Sequence, residues 1–171
     1  MAVTPLQMAV MIASIANGGK VLWPRLVDRV EPQDLSSTGP LVFEKGRVRD
    51  DLGVKPDNLR IVREAMIADV EEPGGTGLQA AVAGLKIGGK TGTAQVMDEH
   101  NKVVADTAWF ASFAGVSNES PRYAVVVMIE TDPNAGSGGK TCAPIAANIY
   151  KAVLEREKSI AGKNAGLAKT N

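Results

Sequence analysis

The sequence predicts an α+β fold in which one antiparallel sheet is packed by helices. Three strand-like segments, at about 85–97, 107–116 and 123–131, come one after another with short links. Three segments with apolar residues at helical spacing, at about 4–17, 56–71 and 143–157, lie before and after them. Parallel neighbours need a crossover of about a dozen residues or more, yet only Ser117 to Arg122 separate Val116 from Tyr123. The three strands are therefore read as an antiparallel meander.

The first helix opens at Thr4-Pro5-Leu6-Gln7, where Thr4 can cap, Pro5 suits the first helical position and Gln7 completes a capping box. Asn17-Gly18-Gly19 stops it, because these residues tolerate a left-handed turn. Lys20 to Val30 reads as extended and interrupted by Pro24, Glu31 to Pro40 as a polar loop, and Leu41 to Val48 as a hairpin arm around Gly46. In the second helix Leu59, Val62, Met66 and Val70 make one apolar stripe. Glu71 to Gly77 forms a glycine-rich turn, and a short helical piece comes next near Leu78 to Val82. The run Ala124 to Ile129 suits a buried strand, and Asp132 to Gly139 is a glycine-rich loop. In the last helix Ile145, Ile149, Val153 and Leu154 share a face. Residues 1–158 are read as one domain portion and the small, polar residues 159–171 as a flexible tail.

Composition narrows the function classes. Nineteen basic residues balance nineteen acidic ones, which leaves no electrostatic footprint for nucleic acid or an anionic membrane. Cys142 is the only cysteine and His100 the only histidine, so no internal disulfide forms and no metal-ligand cluster or cofactor is expected. His100, Asp98, Glu99 and Asp106 are expected as solvated turn residues, and Trp109, Phe113 and Cys142 as packed ones. The apolar run Met1 to Ala16 has no preceding basic residue and is broken by Thr4, Pro5 and Gln7, unlike a signal peptide.

The densest cluster of special residues is Gly84 to Val96, and it admits two readings. Gly84 to Thr91 matches the phosphate-loop pattern Gly-x-x-x-x-Gly-Lys-Thr of a nucleotide-binding domain. Lys90-Thr91-Gly92-Thr93 matches the Lys-Thr-Gly signature of penicillin-recognising serine enzymes. A phosphate loop must run directly into a helix whose N–H groups hold the phosphates. Here Gly92, Thr93 and a polar turn come next, and glycine and threonine are poor helix formers. The strand reading puts Thr91 and Thr93 on one face and Lys90 on the other. Two hydroxyls and an ammonium beside an open edge can hold a carboxylate-bearing ligand.

Lys90 to Gln95, the stretch Trp109 to Gly115, Thr4 to Met8 with Ala16 to Lys20, Pro121 to Val127 and Ala143-Pro144 occur together and in order. In this the chain resembles the class B penicillin-binding proteins, cell-wall DD-transpeptidases, and within them the elongation-type penicillin-binding protein 2, with the division-type enzyme nearby. The resemblance implies the C-terminal part of the β-lactamase/DD-peptidase-like fold, with Lys90 to Thr93 on the strand that lines the cleft. It further implies that Lys90 sets the local electrostatics and that the hydroxyls of Thr91 and Thr93 bind the carboxylate of a stem peptide or β-lactam. The backbone N–H of Thr93 would supply half of an oxyanion hole. It also implies an extracytoplasmic location, an anchoring N-terminal transmembrane helix outside this chain, and a cell-wall glycosyltransferase and the elongation machinery as partners.

The family's nucleophile is a serine with a lysine three residues later, and a Ser-x-Asn motif accompanies it. Both precede Lys-Thr-Gly. Ser-x-Asn does not occur in this chain, and Ser-x-x-Lys occurs once, as Ser137 to Lys140, after Lys90 and across two glycines that disfavour a helical turn. The expectation is a portion of a transpeptidase that carries the substrate strand without the nucleophile and is inactive alone. A non-catalytic peptide- or partner-binding module of the same fold is the other reading. The apolar 123–131 strand is expected to leave an open edge, suited to pairing in a homodimer.

Overall fold

The computed structural model describes residues 3–34, 39–116 and 120–167. Helix α1 spans Pro5–Ala16, and its start is the predicted capping box: Thr4 Oγ1 accepts from Gln7 N–H (3.2 Å) and Gln7 Oε1 accepts from Thr4 N–H (2.8 Å). A cap of this kind stabilises a helix by about 1 kcal/mol. The chain leaves α1 through Gly18 and Gly19, both at positive φ.

Between α1 and α2 the chain forms a narrow arm. Strands β1 (Lys20–Leu22) and β4 (Val48–Asp51) pair antiparallel, as do β2 (Arg29–Val30) and β3 (Leu41–Val42). Gly46 makes the turn before β4 with φ 69°. Helix α2 spans Pro56–Glu71 and buries Leu59, Met66 and Val70. Val62, expected in the same stripe, is exposed. A single 3-10 turn, Leu78–Ala80, leads into the sheet.

The sheet is the antiparallel meander, in the order β5 (Leu85–Met97), β6 (Val103–Val116) and β7 (Tyr123–Thr131). Strand β6 starts four residues before the expected Thr107. The reason is the compactness of the preceding turn: Asp98 Oδ1 accepts from the N–H groups of both His100 (2.8 Å) and Lys102 (2.9 Å), with Asn101 at φ 59°. Val103 to Asp106 are thereby free to continue the ladder. Asp106 is not a solvated turn residue. It is 4% exposed and accepts from Asn134 N–H (2.6 Å), which fastens the loop after β7 to the sheet.

The last helix, α3, spans Ala143–Leu167 and is entered through a π-type turn, Gly138–Cys142. It extends beyond the expected end at Glu157, so helical backbone replaces the tail expected from residue 159 as far as Leu167. Residues 168–171 lie outside the described residues.

Hydrophobic clusters sit on both faces of the sheet. On one, Phe110, Ala108 and Val127 pack against Cys142, Ala146 and Tyr150. On the other, Phe113 and Ala111 pack against Ile12 and Ala16 of α1 and Met66 of α2. Alternation along β6 sends Phe110 and Phe113 to opposite sides. Edge strand β5 is unevenly covered: Ile87 to Gly89 are buried, and Thr93 to Met97 are exposed. Strand β7 is the other edge.

Candidate active site

Lys90, Thr91, Gly92 and Thr93 lie in the middle of β5, where its covered half passes into its open half. Their partners across the ladder are Ala111, Phe110, Trp109 and Ala108. Register therefore places Thr91 and Thr93 on the Phe110 face, and Lys90 and Gly92 on the Trp109 face. The strand continues to Met97 with no helix after Thr91, which excludes the phosphate-loop reading of Gly84 to Thr91.

Two concavities meet at this strand. On the Lys90 face is a cleft of about 1230 Å³, lined on its apolar side by Met8, Met11, Ile15, Val62, Trp109 and Met128. The exposure of Val62 is explained here, since it faces this cleft. Trp109, expected as a packed residue, is half-buried and forms part of the wall; Phe113, further along the same strand, is core. Lys90 is exposed, and its ammonium donates to the Thr91 carbonyl (2.7 Å).

On the Thr91 face a second concavity of about 640 Å³ lies between Thr76, Thr91, Thr93 and the turn Ser137 to Lys140. That turn is helical despite its glycines, contrary to the expectation, and the glycines explain why it fits. A Cβ on Gly138 would lie 2.1 Å from Trp109 O and 2.8 Å from Gly92 N, so only glycine lets the turn sit directly on the sheet. Ser137 serves as the helix cap, accepting from Lys140 N–H (3.3 Å). The hydroxyl thus engages the backbone of Lys140, the geometry of a cap.

Gly92 differs from its neighbours. A Cβ on Gly88 would fall 2.3 Å from the Phe113 ring, and one on Gly89 2.3 Å from the Phe110 ring. At Gly92 the nearest atom to a Cβ would be Trp109 Cβ, at 3.7 Å, an ordinary contact. Gly88 and Gly89 are seats for aromatic rings, while Gly92 faces open space.

Asp69 and Thr76 were not legible as site residues. Thr76 Oγ1 lies 2.7 Å from Asp69 Oδ1 and 2.6 Å from Thr91 Oγ1. The one signal in the sequence was the Gly74-Gly75-Thr76-Gly77 run, which reads as a turn and says nothing of what Thr76 touches. His100 is exposed in the β5–β6 turn, with Nε2 3.5 Å from Glu99. Cys142 is buried with Sγ 3.3 Å from Ala108 O, and burial pushes its thiol pKa up, the opposite of a reactive thiol.

Residues 1–151 match the penicillin binding protein transpeptidase domain. The chain belongs to the penicillin-binding protein transpeptidase family. It is 32% identical over 164 residues to the penicillin-binding protein PbpB of Mycolicibacterium smegmatis, covering 91% of this chain and 24% of that protein. It is 36% identical over 155 residues to the peptidoglycan D,D-transpeptidase FtsI of Escherichia coli K12, covering 89% of this chain and 23% of that protein. The crystal structure of penicillin-binding protein 3 of Mycobacterium tuberculosis superposes with a TM-score of 0.73 at 29% identity, covering 91% of this chain and 36% of that one. The same protein complexed with aztreonam gives a TM-score of 0.70. This transpeptidase-family chain spans about a quarter of the length of the curated relatives it matches. No helix among its described residues is long and apolar enough to cross a membrane.

Proposed function

We propose that this chain is the C-terminal portion of a serine-type peptidoglycan D,D-transpeptidase domain and carries its substrate-binding strand. The supporting observation is the open half of β5. Lys90, Thr91, Gly92 and Thr93 sit on an edge strand where two concavities meet, with a glycine that leaves the space above it empty. An extended stem peptide adds to such an edge through main-chain hydrogen bonds. Lys90 and the threonine hydroxyls supply charge and polarity for a carboxylate-bearing ligand, a β-lactam included. Thr93 N–H supplies one donor for the oxyanion of the acyl-transfer transition state; removing one such donor costs about a hundredfold or more in rate.

The attacking serine and its lysine lie in the remainder of the domain, upstream in the family's order. The acyl-transfer sequence begins when that hydroxyl attacks the scissile carbonyl, with the lysine amine taking its proton. The residues of this chain bind, orient and polarise, and the 171-residue chain alone is inactive. The whole protein works on the extracytoplasmic side of the membrane, held by an N-terminal transmembrane helix, beside a glycosyltransferase and the elongation machinery. The apolar edge of β7 pairs with further strands of the same domain, or with a second copy when they are missing.

A fluorescent penicillin tests this. The product of the whole reading frame is expected to become covalently labelled, and the 171-residue chain to stay unlabelled. Stoichiometric labelling of the short chain would overturn the inactivity. An unlabelled whole protein would overturn the enzyme reading in favour of a non-catalytic module. Sedimentation of the short chain at high concentration checks the β7 edge: a dimer is expected, and a monomer counts against pairing.

A further inference from the structure

The arm between α1 and α2 carries apolar surface that the rest of the chain does not cover. Strands β2 and β3 pair over two residues each and find their packing chiefly in each other. Leu26 is fully exposed, and Val27, Val30, Leu41, Val42 and Phe43 are exposed along the same hairpin. A two-stranded hairpin is marginally stable at best in water. Arg25 staples this one, donating to Phe43 O (2.6 Å) and to the Asp28 carboxylate. Clustered apolar side chains left open in this way mark an interaction surface.

At the base of the arm stands a cationic cluster without counter-charge. The guanidinium carbons of Arg47 and Arg49 lie 5.7 and 5.6 Å from the centroid of the Trp23 ring. Trp23 N–H donates to Arg47 O (3.0 Å), which fixes the ring beside the segment that carries both arginines. The ring is itself 49% exposed. Neither arginine makes an ion pair among the described residues. Nearby acids are engaged elsewhere: Asp28 with Arg25, Glu31 with Arg29, and Asp50 and Asp51 with the N–H groups of Asp51 and Gly53. A guanidinium fork matches a carboxylate. Trp and Arg are also the side chains in which binding energy concentrates, and a cluster ordered in advance loses little rotamer freedom on binding.

We propose that the arm is a docking surface for an acidic, partly aliphatic segment of a partner protein. Its carboxylates pair with Arg47 and Arg49 beside Trp23, and its aliphatic side chains cover the apolar residues of the β2–β3 hairpin. Charge complementarity selects the acid. The apolar residues select a protein over a glycan or a free phosphate, either of which would leave Leu26 and Phe43 in water. An anionic bilayer fits less well, because Asp28, Glu31 and Glu44 are exposed on the same arm and would be pressed against like charge. No residue of the arm lines either concavity at β5, so the proposal stands apart from the substrate-strand reading.

The test selects peptides from a displayed random library on the product of the whole reading frame, after depletion on its Arg47→Glu, Arg49→Glu variant. Where that variant fails to fold, depletion on the parent at about 1 M salt, which shortens the Debye length to about 3 Å, takes its place. The surviving peptides are expected to be rich in aspartate or glutamate with aliphatic residues between. Leu26→Ser should weaken the most enriched peptide about threefold or more, at unchanged thermal midpoint and unchanged penicillin labelling. No enrichment, enriched peptides without acids, or indifference to Leu26→Ser would overturn the docking surface. Two further measurements use the 171-residue chain. Phosphatidylglycerol vesicles that take up the parent and not the Arg47→Glu, Arg49→Glu chain would assign the arm to a membrane. A dimer that the same pair of substitutions dissolves would assign it to a second copy. Either result overturns the partner protein. A whole protein that no penicillin labels defeats the enzyme reading and leaves the peptide result standing.

Discussion

The Phe113 ring occupies the space that a side chain on Gly88 would need: the two residues are partners across the β5–β6 ladder, and a Cβ on Gly88 would lie 2.3 Å from the ring. Phe113 is buried among α1 and α2 residues, so it cannot swing aside at low cost. Gly88→Ala is expected to destabilise the protein by about 1–3 kcal/mol, the usual penalty for overpacking a filled core. Urea unfolding reads the effect as a lower midpoint with unchanged slope. An unchanged midpoint would show that the ring is not confined.

Gly92→Ala should separate from this. Its Cβ would meet only Trp109 Cβ, at 3.7 Å, and alanine costs a strand less conformational entropy than glycine does. The urea midpoint is expected to stay equal or rise slightly. Penicillin labelling of the whole protein should nonetheless fall by about tenfold or more, because the added methyl projects into the cleft where a bound ligand must approach the strand. Normal labelling with normal stability would mean that the ligand does not pass over Gly92.

The two tyrosines give a pH signature. Burial pushes the Tyr150 pKa from 10.0 up to about 12, with hydrogen bonding at Ser112 and Val125 opposing the rise. Tyr123 is also raised, chiefly by its hydrogen bond to Glu157 and then by burial. Above pH 10 the unfolded chain has released the Tyr150 proton that the folded chain retains. The resulting stabilisation is full below pH 10 and is lost as pH climbs to about 12. Ultraviolet titration should show both tyrosinates appearing above the ordinary value in the folded protein and near it in denaturant. Tyr150→Phe should remove the upper step. Two ordinary titrations in the folded protein would refute the effect of burial.

Much of the framework could be read along the chain because its signals are local. Thr4 and Gln7 are three residues apart and cap each other. The links after Met97 and Val116 are too short for a crossover, which left antiparallel order as the only arrangement. Lys90 to Thr93 could be placed on a strand because Gly92, Thr93 and the polar turn at Asp98 to Lys102 leave no room for a helix after Thr91. The site's supports were harder to see. Asp69 and Thr91 are 22 residues apart, and with Thr76 they meet only where the loop after α2 folds back to the edge of β5. Ser137 and Gly138 looked unfit for a turn of helix, because glycine propensity is measured without a neighbouring sheet that admits nothing larger.

By itself the sequence determined the antiparallel sheet, the helix starts and a Lys-Thr-Gly-Thr strand with two faces, since periodicity, caps and link lengths act within a few residues. Only the tertiary structure decided which glycines hold rings and which one is open, that Trp109 walls a cleft, and that Asp69 and Thr76 reach Thr91. Those outcomes depend on what distant segments bring into contact.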